Sequence, residues 1–238
     1  MTVILRIRKW VPGRLAALTV GFLMLWTSAV ALCASYSAAA LSGRVVDAST
    51  QLPMADVVVV AHWQLVGGFM EARPAGELKI YETTTDSEGR FTFPSWGPVQ
   101  VLRPDVMLRN SDPELHLFKS GYAITNVGNQ LRNDNYYRNT PVRTSDWDGR
   151  VVEMKLLDGD LKAAEKTLVL SAGELQSLFE RGQDCEWKAM PLMASRLENE
   201  KRVLRQRGIR TPTFPEADHY SNQASCGSGV DWLKEHSK

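Results

Sequence analysis

The sequence predicts a mainly β fold, a β-sandwich, followed by an α-helical C-terminal extension with short helices. Three observations predict it. Residues 41–157 carry several short β-branched or alternating apolar runs, separated by Gly, Pro and Asp turn signals. Near Leu161 the apolar period lengthens from two to that of a helix. A segment that is basic, then apolar, then rich in small residues comes before residue 41, so the sandwich follows a leader.

In that leader, Arg6, Arg8, Lys9 and Arg14 form the basic start, and an apolar run extends from Leu15 to about Ala34. Ser35 to Ala40 are small residues apart from Tyr36, and Ala38 and Ala40 satisfy the small-x-small cleavage rule. Residues 1–40 are therefore expected to be a signal peptide, with Leu41 the first mature residue and a periplasmic or secreted product. The alternative is anchoring to the inner membrane by residues 15–34, since about twenty apolar residues suffice to span a bilayer. A lipidated Cys33 is disfavoured because Leu32 is bulkier than the small residue such a site needs.

The 238-residue chain has a formal net charge of +1. Without residues 1–40, 24 basic residues face 27 acidic ones, a net of −3. That balance gives no electrostatic reason to expect nucleic acid as a partner. Cys185 and Cys226 remain after the leader, and an even pair in an oxidising compartment reads as one disulfide.

The first strand is centred on Val45-Val46, with Pro53 in the turn after it. Val57–Trp63 is almost continuously apolar, as in a strand buried on both faces. A loop from Gly67-Gly68 to Gly76 leads to a strand through Leu78, Ile80 and Thr84. Asp86-Ser87-Glu88-Gly89 is a tight turn, and Arg90–Phe93 then alternates, so that Phe91 and Phe93 share one face and, with Val58, one core. Val106–Leu108 and Leu115–Phe118 are a further strand pair. Residues 123–148 read as a long polar loop, and Val151–Leu156 as the closing strand. In the extension (residues 158–238), Ser171-Ala172-Gly173-Glu174 reads as a capping box opening a helix from Ala172 to about Arg181. A second helix is expected from Pro191 to Arg207, stopped by Gly208, and a terminal one over Val230–His236.

Gly43-Arg44-Val45-Val46-Asp47 with Pro53, Thr85-Asp86-Ser87-Glu88-Gly89-Arg90-Phe91-Thr92-Phe93, and Phe118-Lys119-Ser120-Gly121-Tyr122 together resemble the carboxypeptidase regulatory-like domain. This resemblance implies an Ig-like or transthyretin-like (prealbumin-like) sandwich over residues 41–157. Such domains are often accessory modules on peptidases, transporters and glycan-active proteins. The resemblance thus implies a non-catalytic binding or scaffolding role at the cell envelope, and does not reach the helical extension.

No catalytic residue, cofactor site or metal site is expected from the motifs. His62 and His116 fall in strands and read as satisfied structural residues, and neither they nor His219 and His236 sit in a zinc-protease motif. A transthyretin-like urate-pathway hydrolase would carry a Tyr-Arg-Gly-Ser ending, which this chain lacks. Asp146-Trp147-Asp148-Gly149 lacks the ligand count of a calcium loop and reads as a turn. Gly227-Ser228-Gly229 is not a nucleophile elbow. Trp96, Tyr136, Tyr137 and Trp147 are the candidate ligand-stacking residues, because aromatic faces can pack on sugars; carbohydrate binding is the second reading and a hydrolase with an unrecognised site the third. Arg196, Lys201, Arg202, Arg205, Arg207 and Arg210, interrupted by Glu198 and Glu200, read as a solvated helix face. The expected partner is an envelope protein or a glycan, with the membrane involved only if the leader is retained.

Overall fold

A computed structural model describes residues 34–68, 73–130, 142–157, 159–180, 185–220 and 225–236. Most of the leader, including Cys33, lies outside the described residues, as do Tyr136 and Tyr137. The strands are β1 (Ala34–Ala38), β2 (Leu41–Asp47), β3 (Val58–Gly67), β4 (Arg73–Thr84), β5 (Arg90–Phe93), β6 (Trp96–Val101), β7 (Val106–Leu108), β8 (Glu114–Phe118), β9 (Thr125–Val127), β10 (Val142–Arg143) and β11 (Arg150–Met154). The helices are α1 (Leu161–Glu180), α2 (Pro191–Gln206) and α3 (Gly229–His236). The chain is mainly β with a helical C-terminal part, as the apolar patterning predicts.

The central sheet runs β4-β3-β8-β9, with β7 pairing the end of β3. Two three-stranded sheets, β11-β2-β5 and β10-β1-β6, complete the β part. Strand β3 sits inside the sheet, paired antiparallel to β4 on one side and to β8 on the other. Its residues Val58 to Ala61 have no exposed surface, and the two-sided apolar run reflects two separate cores. On one face Val59, Ala61 and Trp63 join Leu115, Leu117, Phe91, Phe93 and Val152. On the other, Val58, Val60 and Phe118 pack with Leu168, Leu175 and Phe179 of α1 and with Met193 and Leu197 of α2. The molecule is therefore layered: small sheets, central sheet, helices.

That layering corrects one expectation. Phe91 and Phe93 share a core, but Val58 belongs to the other one. Strand residues alternate between faces, so Val57 and Val59 are the neighbours of the phenylalanines. Gly43 explains the placement of Phe91. The two are cross-strand partners, and a Cβ on Gly43 would stand 2.5 Å from the Phe91 ring, so the ring occupies the space the glycine leaves. Gly89 adopts φ 72° in the turn before β5, and a Cβ there would meet the Val45 carbonyl at 2.4 Å.

The N-terminal boundary also moves. Residues 34–38 were expected in the leader, yet β1 pairs antiparallel with β6 and parallel with β10, and buries Tyr36 and Ala38. Residues 34–38 are thus part of the described β structure. The polar stretch 123–148 contains β9 and β10, and Trp96–Val101 forms β6, all too short or too polar to stand out as strands.

Helix α1 starts at Leu161, eleven residues before the expected start at Ala172. Asp160 opens it, its carboxylate accepting the Lys162 N–H at 3.1 Å and its carbonyl the Ala164 N–H. Ser171 and Glu174 thus lie within the helix. Ala164, Leu168, Ala172, Leu175 and Phe179 recur at helical spacing and are buried. The N-terminus of α2 is capped from outside: the Glu82 carboxylate on β4 accepts the Leu192 and Met193 N–H groups at 2.9 and 2.7 Å. The Cys185–Cys226 disulfide is present, with an S–S distance of 2.02 Å and Cα atoms 5.4 Å apart. It joins the segment before α2 to the segment before α3, beside Trp187, Tyr220 and Trp232. No helix among the described residues is long and apolar enough to cross a membrane.

Candidate functional site

Beyond the apolar part of the helix-facing core, the central sheet turns polar. Strand alternation that points Val58 and Val60 at the helices carries His62 there too. On β8 the same face holds Phe118, His116 and Glu114. The register sets Val60 opposite His116 and His62 opposite Glu114, so the two imidazoles are diagonal neighbours. Their Nε2 atoms are 3.0 Å apart. Both side chains are almost fully buried, at 3% and 1% exposure.

Each ring is held from behind. His62 Nδ1 lies 2.9 Å from Glu77 Oε2 on β4, and a carboxylate acceptor assigns the proton to Nδ1. His116 Nδ1 lies 2.8 Å from Asn126 Oδ1 on β9. The Asn126 amide is itself oriented, because its Nδ2 donates to the Ser171 carbonyl of α1 at 2.8 Å. Both Nδ1 atoms are therefore donors, and the two Nε2 atoms point at each other.

Carboxyl groups surround the pair. Glu114 Oε2 is 3.8 Å from His62 Nε2 and 3.1 Å from the Arg109 guanidinium. Glu174 reaches in from the exposed side of α1. The ligand atoms of Glu114, His116 and Glu174 all lie within 4.8 Å of one another. Gln64 bridges the rear: its Nε2 donates to Glu77 at 3.3 Å and its backbone N–H to Asp112 Oδ2 at 2.6 Å.

The electrostatics follow from burial and crowding. Burial pushes the Asp112 carboxyl up to about 8, against the pull of His62 and Arg109. Burial and the neighbouring His62 push His116 down to about 3, so its imidazole is neutral. For His62, burial works against the charge, but Glu77, with Asp112 and Glu114, outweighs it and raises the ring above its ordinary value. A hydrogen bond with Glu114, then burial, raises Glu174. The site is a carboxyl-rich, mostly buried cluster with a neutral imidazole at its centre. Such a set can hold a cation or share a proton.

From the sequence His62 and His116 read as satisfied structural residues; the structure brings them together with Glu77, Glu114 and Glu174. The alternation Glu114-x-His116 across from Val60-x-His62 was the available signal, but it is visible only once β3 and β8 are known to pair. Of the stacking candidates, Trp96 and Trp147 lie among the described residues. Trp96 is buried, packed edge-to-face on Trp63 with ring centroids 5.3 Å apart, so its faces are enclosed. Trp147 is half-buried and donates its indole N–H to the Gly128 carbonyl at 3.0 Å. Asp148 in the same turn accepts the Ser42 N–H, as expected of a turn.

The basic helix face needs one correction. Lys201 is buried at 1% exposure, with its ammonium 2.6 Å from Glu198, 2.9 Å from Glu216 and 3.1 Å from the Pro215 carbonyl. It ties α2 to the chain after it, and a fully paired lysine is the form in which that residue tolerates burial. Arg196 pairs with Asp56 at 2.7 Å. A groove between α2 and α3 is lined by Arg196, Arg202 and Lys234 but also Glu198, Glu216 and Asp218, a mixed-sign surface.

No family model matches this chain, and no curated protein matches it. Among solved structures, it is similar to a 9R-lipoxygenase from Cyanothece PCC8801, at 10% identity and TM-score 0.23, over 60% of this chain and 23% of that one. It is also similar to 3-chlorocatechol 1,2-dioxygenase from Rhodococcus opacus 1CP, at 19% identity and TM-score 0.25, over 51% of this chain and 59% of that one. Likenesses at these scores carry no weight for fold or function.

Proposed function

We propose that this chain is an exported, non-catalytic binding or scaffolding protein of the cell envelope, built on a carboxypeptidase regulatory-like sandwich. The observation that carries the proposal is the Cys185–Cys226 bond, because a structural disulfide in a chain of this kind points to an oxidising compartment. Two further features support it. A basic–apolar–small segment precedes the fold. The only imidazole pair among the described residues is buried and bound from behind, out of hydrogen-bond reach of a bulky substrate.

The pairing of β1 with β6 and β10 favours a cleavage point upstream of Ala34 over the one after Ala40. Ala29-Val30-Ala31 offers a small-x-small exit upstream, giving Leu32 as the mature start. N-terminal sequencing of the exported product checks this; a start at Leu41 would mean the sandwich is stable without β1. The wider proposal is tested by fractionation with thiol trapping and by an activity screen against peptides, esters and glycosides. A reduced Cys185–Cys226 pair in a cytoplasmic fraction, or turnover by the purified chain, refutes it. Binding on a glycan array that is lost in Trp147→Ala would favour the carbohydrate reading instead.

A further inference from the structure

We infer that His62, His116, Glu114 and Glu174 form a binding site for one divalent transition-metal ion of the Zn2+ class. The inference rests on the cluster alone and is independent of export.

The argument begins with the two Nε2 atoms. Both rings present Nδ1 as donor, to Glu77 and Asn126, which leaves the Nε2 positions to face each other at 3.0 Å. Two nitrogen lone pairs at that distance repel unless a positive charge lies between or beside them. The charge is either one shared proton or a metal ion. Two nitrogens each about 2.1 Å from one ion stand about 3.4 Å apart at the tetrahedral angle of four-coordinate Zn2+ and about 3.0 Å at a right angle. The observed 3.0 Å lies at the close end of that range, a few tenths of an ångström from the tetrahedral value.

The surroundings favour the ion. Metal-bound imidazoles typically donate their second N–H to a carboxylate or amide oxygen, which fixes the tautomer and aims the free nitrogen. Glu77 and Asn126 do this for the two rings, and Asn126 is locked in turn by the Ser171 carbonyl. Four carboxyl groups (Glu77, Asp112, Glu114 and Glu174) crowd the pair, with Arg109 the nearby guanidinium. Glu114 Oε2 stands 3.8 Å from His62 Nε2, and the Glu114, His116 and Glu174 ligand atoms lie within 4.8 Å of one another. Two imidazoles with carboxylates suit Zn2+ and its first-row neighbours, since Mg2+ and Ca2+ prefer all-oxygen sites. Glu174 is exposed and Arg109 half-exposed, so the edge between α1 and β8 is the entry path.

The test uses the full mature chain, stripped with chelator and titrated with ZnCl2 by calorimetry, with Co2+ as a spectroscopic probe. The expected result is one ion per chain, visible Co2+ bands of nitrogen–oxygen ligation, and a raised melting temperature. His116→Ala should abolish binding. Because that change also removes a buried ring, two further variants decide the matter. Glu174→Gln alters only an exposed side chain, and Glu77→Gln alters only the group behind His62. Each should weaken Zn2+ binding by roughly 10–100-fold. Absence of stoichiometric binding by the wild type overturns the inference, as does affinity unchanged in both glutamine variants; the first would assign the Nε2 pair to a shared proton.

Discussion

The two faces of the central sheet are built from the same strands and behave as different materials. The sandwich face, with Val59, Ala61, Trp63, Leu115 and Leu117, is apolar along its length and closes on Phe91, Phe93 and Val152. The helix face starts the same way, at Val58, Val60 and Phe118, then changes to His62, His116 and Glu114. The first is held by area removed from water. The second needs α1, α2 and a disulfide to cover it, and its polar end is held by directed hydrogen bonds. A buried polar network of that kind persists only where each member is satisfied, and it specifies geometry more than it adds stability.

The largest expected effect tests the apolar face. Phe91→Ala removes a ring at 2% exposure that fills the space above Gly43, and should cost about 3–5 kcal/mol in urea melts. A loss below about 1 kcal/mol would mean the ring is not buried as described. The helical face is then tested by reduction. The Cys185–Cys226 bond closes a loop with a sequence separation of 41, for which chain entropy alone gives up to about 4 kcal/mol. Hydrogen exchange after reduction should show faster exchange in α2 and α3 and little change in β2, β5 and β11. Uniform acceleration across both faces would show that the two layers unfold as one unit.

The smallest effect lies at the rim of the sandwich. Asp47 accepts from the Ser49 and Thr50 N–H groups, each at 2.8 Å, and from the Tyr122 hydroxyl at 2.8 Å. The Ser49 hydroxyl also donates to it, at 2.5 Å, and this bond foremost, with the others, holds its carboxyl well below the usual carboxylate range. A carboxyl depressed in the folded state contributes stability that is present above its unfolded pKa of about 3.9 and is lost as pH falls below it. Stability measured between pH 5 and pH 2 should therefore fall with a component that Asp47→Asn removes. An unchanged slope in the variant would show that Asp47 carries none of the acid sensitivity.

Much of the β part was legible because the signals are local. The Val57–Trp63 run, the Asp86–Gly89 turn and the Phe91/Phe93 alternation each occupy a few consecutive residues, and each lies where the pattern places it. The strands that escaped notice, β1, β6, β9 and β10, are short, polar or rich in small residues, and owe their conformation to a partner strand. Ser171 and Glu174 misled for a related reason. A capping-box pattern is available to any helix interior that contains it, and Asp160 started α1 earlier.

The sequence by itself determined the mainly β fold with a helical extension, the pairing of Cys185 with Cys226, and the alternation that places Phe91 beside Phe93. Those rest on periods, turn chemistry and an even cysteine count, none of which needs the third dimension. The tertiary structure alone decided which core receives Val58, that residues 34–38 form a strand, that Lys201 is buried, and that His62 meets His116. Each of these depends on strand register or helix docking between residues far apart in the chain, and a one-residue change in the β3–β8 register would send the two histidines to opposite faces.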